Sequence, residues 1–273
     1  MVDSVCVAAK FMKIIVNNIA TEYLDEGEGE VVLMLHGWKD SLRTFDSLAP
    51  LLAEGRRVVR LDLPGFGGTE PPPRTWGVGD YACFVRDFIL KLNINVDLLV
   101  GHSFGGRVAL KGLGTGTLSA RRLVLIASAG VAKKKRLRNY FFAALAKLGR
   151  AATFVPPLSF IRLPLRRKLY RLLGSDYFEA GPLSGTFRAV VREDLGVAAR
   201  QLDIPTFLIW GEDDAVTPLS EGKRLAGLIP DSGLKIFPKA GHFVHREKPG
   251  EVAAAMQVFF SIRLNSHQFC AIA

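Results

Sequence analysis

The chain predicts an α/β domain with a mostly parallel, doubly wound sheet. Three observations carry this expectation. Short apolar runs alternate with stretches of helical periodicity. Several of the runs read as strands buried on both faces, as parallel sheets require. The alternation then stops between Ala127 and Ile204, where helical pieces are broken by Pro156-Pro157 and Pro164. An insertion of helices into an otherwise regular α/β pattern explains that gap.

The elements follow in order. Lys13–Val16 and Ile19–Leu24, joined by Asn17-Asn18, read as a hairpin, because Asn tolerates positive φ. Val31–Leu35 is a buried strand. Leu42 to Leu52 reads as one amphipathic helix, and Arg57–Leu61 as a strand ending at Asp62. Pro71-Pro72-Pro73 is a rigid loop. Asp80 to Leu92 is a helix with Tyr81, Phe84, Val85 and Phe88 at helical spacing. Val96–Val100 is a strand, followed by a helix from Gly106, and Arg121–Ala127 is another strand. Residues 12–130 and 187–265 are therefore expected to form the core. Residues 131–186 form a helical cap inserted after the sixth strand, and 1–11 and 266–273 are tails outside the fold.

Bulk properties narrow the function classes. Hydrophobic residues make up 49% of the 273, enough for one large core. No apolar run reaches the roughly 18 residues of a membrane helix, and no leader-like segment opens the chain. Three cysteines, Cys6, Cys83 and Cys270, show no metal spacing. Their odd number points to a reducing, cytoplasmic location without disulfides. The net charge of +10 is concentrated in the cap, which holds twelve Lys and Arg against Asp176 and Glu179. A solvated helix face accounts for such charge. Recruitment of an anionic substrate, or peripheral contact with an anionic membrane, is the sharper alternative. No nucleic-acid motif accompanies the charge, so no nucleic acid is expected as a partner. A monomer or homodimer is expected.

Chemistry concentrates in three places. Gly101-His102-Ser103-Phe104-Gly105 lies between a strand and a helix. That context makes G-x-S-x-G a nucleophile elbow, with the serine on a strained turn. Trp210-Gly211-Glu212-Asp213-Asp214 ends a second buried strand in a carboxylate cluster. Ala240-Gly241-His242 follows the short strand Leu234–Phe237. A serine hydroxyl needs a histidine to take its proton, and that histidine needs a carboxylate to fix its tautomer. Ser, Asp and His in this order, each past the end of a strand, supply that set.

With His36-Gly37-Trp38, Asp62-Leu63-Pro64-Gly65-Phe66-Gly67 and Glu247-Lys248-Pro249 added, the chain resembles the α/β-hydrolase superfamily. The likeness is to its serine esterase-like members with a helical cap, and it runs from about Met12 to Leu264. The resemblance implies the α/β-hydrolase fold. It assigns Ser103 as nucleophile, His242 as base and Asp214 as acid, Asp214 because Pro218 stands four residues beyond it. Asp213 takes a variable slot. The backbone N–H groups of Trp38 and Phe104 are the implied oxyanion hole. His36 organises its loop and touches the pocket, with Phe141, Phe142, Phe160 and Phe243 as further pocket residues. His245 is structural or stands at the pocket edge, and Asp62 ties down the turn after it. No metal and no cofactor are implied.

A serine at the elbow serves acyl transfer, so the expected activity is carboxylesterase action on short to medium acyl esters. Cleavage of a C–C bond in a meta-cleavage product is the alternative. Those relatives commonly have Asn before the nucleophile and a Gly-rich loop after the first His-Gly. Here the positions hold His102 and Trp38-Lys39-Asp40. The alternative of another class is a non-catalytic ligand-binding or scaffold homologue, which commonly lacks a member of the Ser, Asp, His set.

Overall fold

The computed structural model describes residues 11–131 and 181–261. Nearly all of the expected cap, including Phe141, Phe142, Phe160 and its basic residues, lies outside them, as do most of the tails.

Among the described residues, eight strands form one sheet in the order β1-β2-β4-β3-β5-β6-β7-β8. They are β1 Met12–Val16, β2 Ile19–Glu26, β3 Glu30–Leu35 and β4 Arg56–Leu61, then β5 Val96–His102, β6 Arg122–Ile126, β7 Thr206–Gly211 and β8 Ser232–Phe237. Only the pairs β1–β2 and β2–β4 are antiparallel. From β4 onward every pair is parallel. Asn17 and Asn18 both take positive φ, 50° and 61°, so the first two strands close through a two-residue turn as the Asn-Asn pair predicted.

Because successive side chains on a strand point to opposite faces, each central strand feeds two cores. Leu33, Leu35, Leu99, Leu123, Leu125 and Leu208 face one layer. It contains the helices α2 Val78–Leu92 and α3 Phe104–Gly114. Val32, Met34, Val100, Val124, Ile126 and Phe207 face the other. Its cover is α1 Ala49–Ala53 and, near the C-terminus, Pro249–Ser261. Burial on both faces is why the strand sequences are runs of apolar residues without alternation.

Two sequence expectations are corrected. Leu42 to Leu52 is not one helix. A 3₁₀ turn over Leu42–Phe45 is followed by the separate α1, with Pro50 in its first turn. Proline has no N–H to give the Asp46 carbonyl and its ring collides with that carbonyl, so a continuous helix is broken there. The helix expected from Asp80 starts two residues earlier, at Val78. The Asp80 carboxylate accepts the Gly77 N–H at 2.8 Å and so supplies the cap that Gly77 lacks.

After the undescribed segment the chain returns through α4 Ser184–Arg192 and α5 Gly196–Arg200. This return is pinned to the helix that follows the elbow. The Arg107 guanidinium, 6% exposed, donates to the carbonyls of Val190, at 2.7 Å, and Glu193. Lys111 pairs with the Glu193 carboxylate at 2.8 Å, and Leu195 N–H donates to Gly130 O at 2.9 Å.

β3 and β5 are neighbours although β4 separates them in sequence, so the sheet order reverses between them. Loops leaving the C-terminal ends of strands at such a point form a crevice. The elbow after β5 can sit there only because α3 approaches β3 closely. A Cβ on Gly105 would overlap the Leu35 carbonyl, and one on Gly101 would lie 2.6 Å from the Gly106 backbone nitrogen. We therefore expect Gly105→Ala to lose at least about 3 kcal/mol, the upper end for overpacking. Urea unfolding measures it, and a loss under about 1 kcal/mol would show that the approach is not tight.

Candidate active site

Ser103 occupies the first residue past β5, at φ 49° and ψ −106°. That conformation is strained for any residue with a side chain. Backbone hydrogen bonds to neighbouring segments hold it. Ser103 N–H donates to Ile126 O at 3.0 Å, and Gly105 N–H to His36 O at 2.9 Å. Ala129 N–H donates to Ser103 O at 3.3 Å. The elbow is thereby stitched to β6 on one side and to the loop after β3 on the other, and Ser103 remains partly exposed.

The choice between the two aspartates is visible in the geometry. Asp213 is exposed and Asp214 buried. Asp214 Oδ1 accepts the N–H groups of Val216 and Thr217, both at 2.8 Å. Its Oδ2 lies 2.8 Å from His242 Nδ1 and 2.8 Å from the Thr217 hydroxyl. Burial opposes ionisation of this carboxyl. The hydrogen bonds from His242 and Thr217 outweigh it, and the group sits below the usual aspartate value. A carboxylate that only accepts requires the proton on His242 Nδ1, which leaves Nε2 with the basic lone pair. The Thr217 hydroxyl also lies 3.0 Å from Ala127 O and 3.2 Å from His242 Nδ1, so it links the acid loop to the segment just after β6 and to the base.

The N–H groups of Trp38 and Phe104 take part in no backbone hydrogen bond among the described residues. Phe104 opens α3, whose N-terminus carries partial positive charge. Trp38 is packed edge-on against Phe66 and Phe104, at 4.9 and 5.3 Å between ring centroids, and against Phe187 at 5.2 Å. This aromatic group borders a cavity of about 350 Å³, with Phe66, Pro71 and Leu183 on its apolar walls and Lys39 and Thr69 as its polar lining.

His36 departs from its expected place on the pocket. It is fully buried. Its Nδ1–H donates to Gly37 O at 2.7 Å, and Nε2 accepts the Leu63 N–H at 2.9 Å. Both nitrogens are used inside the protein, so it shapes the loop after β3 and does not line the cavity. Asp62 accepts from Leu42 and Gly68, both at 2.7 Å, and so ties the far side of its turn to the next loop. His245 is wholly buried, with Nε2 3.0 Å from the Thr44 hydroxyl. Phe243 is 37% exposed, with its ring 5.3 Å from that of His242. Thr217, Phe66, Phe187 and Leu183 were not singled out from the sequence.

Comparison with known proteins identifies the family. The model of the Alpha/beta hydrolase family matches residues 32–255. The chain belongs to that family and is a hydrolase with its fold. A 2-hydroxy-6-oxo-6-(2'-aminophenyl)hexa-2,4-dienoic acid hydrolase of Metapseudomonas resinovorans is 28% identical over 269 residues, covering 90% of this chain and 89% of that protein. An uncharacterized protein of Mycobacterium tuberculosis is 27% identical, covering 85% of this chain and 76% of its own. Among solved structures, a membrane phospholipase A described as a bacterial virulence factor superposes with a TM-score of 0.72 at 25% identity, over 92% of this chain and 86% of that one. A serine hydrolase involved in carbazole degradation shares the fold, with a TM-score of 0.71 at 24% identity, over 94% and 100%. Among the described residues no helix is long and apolar enough to cross a membrane.

Two predictions follow from the carboxylate and the buried histidines. Asp214→Asn is expected to lower kcat at least about 1,000-fold. Thr217→Val should lower it about 10-fold, or ~1.4 kcal/mol, and Asp213→Asn hardly at all. Steady-state kinetics on the three variants tests this ranking, which equal losses at the two aspartates would overturn.

The second concerns acid. Burial holds His36, His102 and His245 below the ordinary histidine range, His245 at about 3. These groups are neutral when folded and take a proton when unfolded. Stability is therefore complete above about pH 6.5 and falls below it, by up to about 1.4 kcal/mol per pH unit for each histidine. Urea unfolding between pH 7 and 5 should show that slope, and His245→Asn should reduce it.

Proposed function

We propose that this hydrolase cleaves carboxylic esters through an acyl-enzyme on Ser103. The observation that carries the reading is the 2.8 Å hydrogen bond from His242 to buried Asp214, at the same end of the sheet as the strained Ser103 turn. In the first step, His242 Nε2 takes the Ser103 proton as Oγ attacks the ester carbonyl carbon. Asp214 stabilises the imidazolium and holds its orientation. The N–H groups of Phe104 and Trp38 receive the oxyanion. Collapse of the tetrahedral intermediate expels the alcohol, which takes the proton from His242. Water, deprotonated by the same nitrogen, then releases the acid and restores Ser103.

The apolar walls beside Trp38 support an uncharged acyl group of short to medium length. A second reading, hydrolysis of a C–C bond next to a carbonyl, is favoured by the activity named for the Metapseudomonas relative. The loop Trp38-Lys39-Asp40 and His102 at the elbow speak against it.

A panel of nitrophenyl esters from acetate to palmitate, run beside a meta-cleavage dienoic acid, separates these readings. Esters of two to eight carbons are expected to be at least about 100-fold better substrates by kcat/KM than the dienoic acid, a difference of roughly 2.7 kcal/mol in transition-state stabilisation. Faster turnover of palmitate than butyrate would move the reading to lipid esters, and preference for the dienoic acid would move it to C–C cleavage. Ser103→Ala, His242→Ala and the double variant should lose activity to nearly the same extent, since such residues act as a unit. A protein that neither turns over nor takes a fluorophosphonate label is a binding homologue.

A further inference from the structure

His102 is buried beside the reacting groups, yet no step above uses it. It precedes Ser103 at the end of β5 and is 1% exposed. Its Nε2 lies 3.1 Å from the backbone carbonyl of His242. A carbonyl only accepts, so Nε2 carries the proton and Nδ1 the lone pair. The ring lies 4.9 Å from that of His242, 4.5 Å from that of His245 and 5.3 Å from that of Phe243, centroid to centroid. Its other edge faces the loop after β3. A Cβ on Gly37 would lie 3.0 Å from His102 Nδ1 and 3.4 Å from Ser103 Cβ. Gly37 thus makes the space that this ring fills. Among the described residues His102 Nδ1 has no hydrogen-bond partner, and the ring's one polar tie there is the bond to the His242 backbone.

One imidazole therefore touches the oxyanion loop, adjoins the nucleophile and bonds to the backbone of the base. We propose that His102 is a positioning residue: its Nε2–H holds the His242 carbonyl and so sets the reach of the catalytic imidazole between Asp214 and Ser103. The proposal rests on the Ser103–His242–Asp214 reading. Burial keeps the ring neutral, with His245 and His242 adding to the effect. Before His242 the loop is tied by Gly241 N–H to the Glu247 carboxylate at 2.8 Å and by Asp213 N–H to Ala240 O at 2.9 Å, and after it Phe243 O accepts the N–H groups of Arg246 and Glu247 at 2.8 and 3.0 Å. The carbonyl of His242 itself is held by His102.

His102→Phe and His102→Gln distinguish the bond from the volume. Phenylalanine fills the space without a donor, whereas the glutamine amide reaches about as far as Nε2 and donates. With a short-chain nitrophenyl ester, His102→Phe is expected to lose 10- to 100-fold in kcat with KM within about threefold. His102→Gln should stay within about fivefold of the parent. The rate of fluorophosphonate labelling at Ser103 should fall in the same ratio. In proton NMR, the downfield signal of the His242 Nδ1–H shared with Asp214 should shift or broaden in His102→Phe and persist in His102→Gln. That last readout needs no turnover.

Equal kcat and an unchanged NMR signal in the two variants would overturn the proposal, as would a loss confined to KM. A loss that tracks thermal stability equally in both variants would make His102 a packing residue and also overturn it. If the parent takes no label at Ser103, the serine-hydrolase reading fails and the proposal with it. Labelling of the parent with indifferent His102 variants sinks the proposal alone.

Discussion

The structure depends on how closely the backbone of α3 can approach the ends of β3 and β5. A serine hydroxyl reaches the crevice only if the chain turns from strand to helix within one residue, and that residue then sits at positive φ. Nothing local stabilises such a turn. It is imposed by the hydrogen bonds from Gly105 to His36 and from Ser103 to Ile126, and these form only where no side chain intervenes. The strain of the turn is carried beyond the elbow itself, because β6 on one side and the loop after β3 on the other supply the acceptors.

The acid and base loops follow from the same architecture. β7 and β8 are parallel neighbours, so the loops after them emerge side by side, and Asp214 and His242 meet although 28 residues separate them. Thr217 closes that arrangement by reaching back to the carbonyl of Ala127, the residue after β6. Residues from the three segments after β6, β7 and β8 thus share one hydrogen-bonded group, and the reactive atoms inherit the rigidity of the sheet beneath them.

Much of this was legible in the sequence, for identifiable reasons. Apolar strands, the Asn17-Asn18 turn and the glycine-flanked Ser103 each have a local physical cause that leaves a local pattern. Asp214 could be told from Asp213 by resemblance alone, since both are aspartates in one loop, and burial separates them only after folding. His36 looked like a pocket residue because histidine beside a reactive loop suggests chemistry. That both its nitrogens are consumed by Gly37 and Leu63 depends on a turn 27 residues away. The bonds of Thr217 and His102 run between segments 90 and 140 residues apart, and no single-sequence periodicity encodes such pairings. The break at Pro50 was legible in principle, but the apolar spacing from Leu42 to Leu52 masked it.

The clasp between Arg107 and the return helix α4 bears on how this scaffold can change over generations. The chain leaves the core at Val131 and comes back into a segment fastened to α3 by Arg107 and Lys111, and to Gly130 by Leu195. Both ends of the intervening stretch are thus anchored by contacts it does not itself make. Lengthening a closed loop twofold costs only about 0.6 kcal/mol in chain entropy. Changes of length between these anchors are therefore nearly free in chain entropy, and the sheet that carries Ser103, Asp214 and His242 need not change with them.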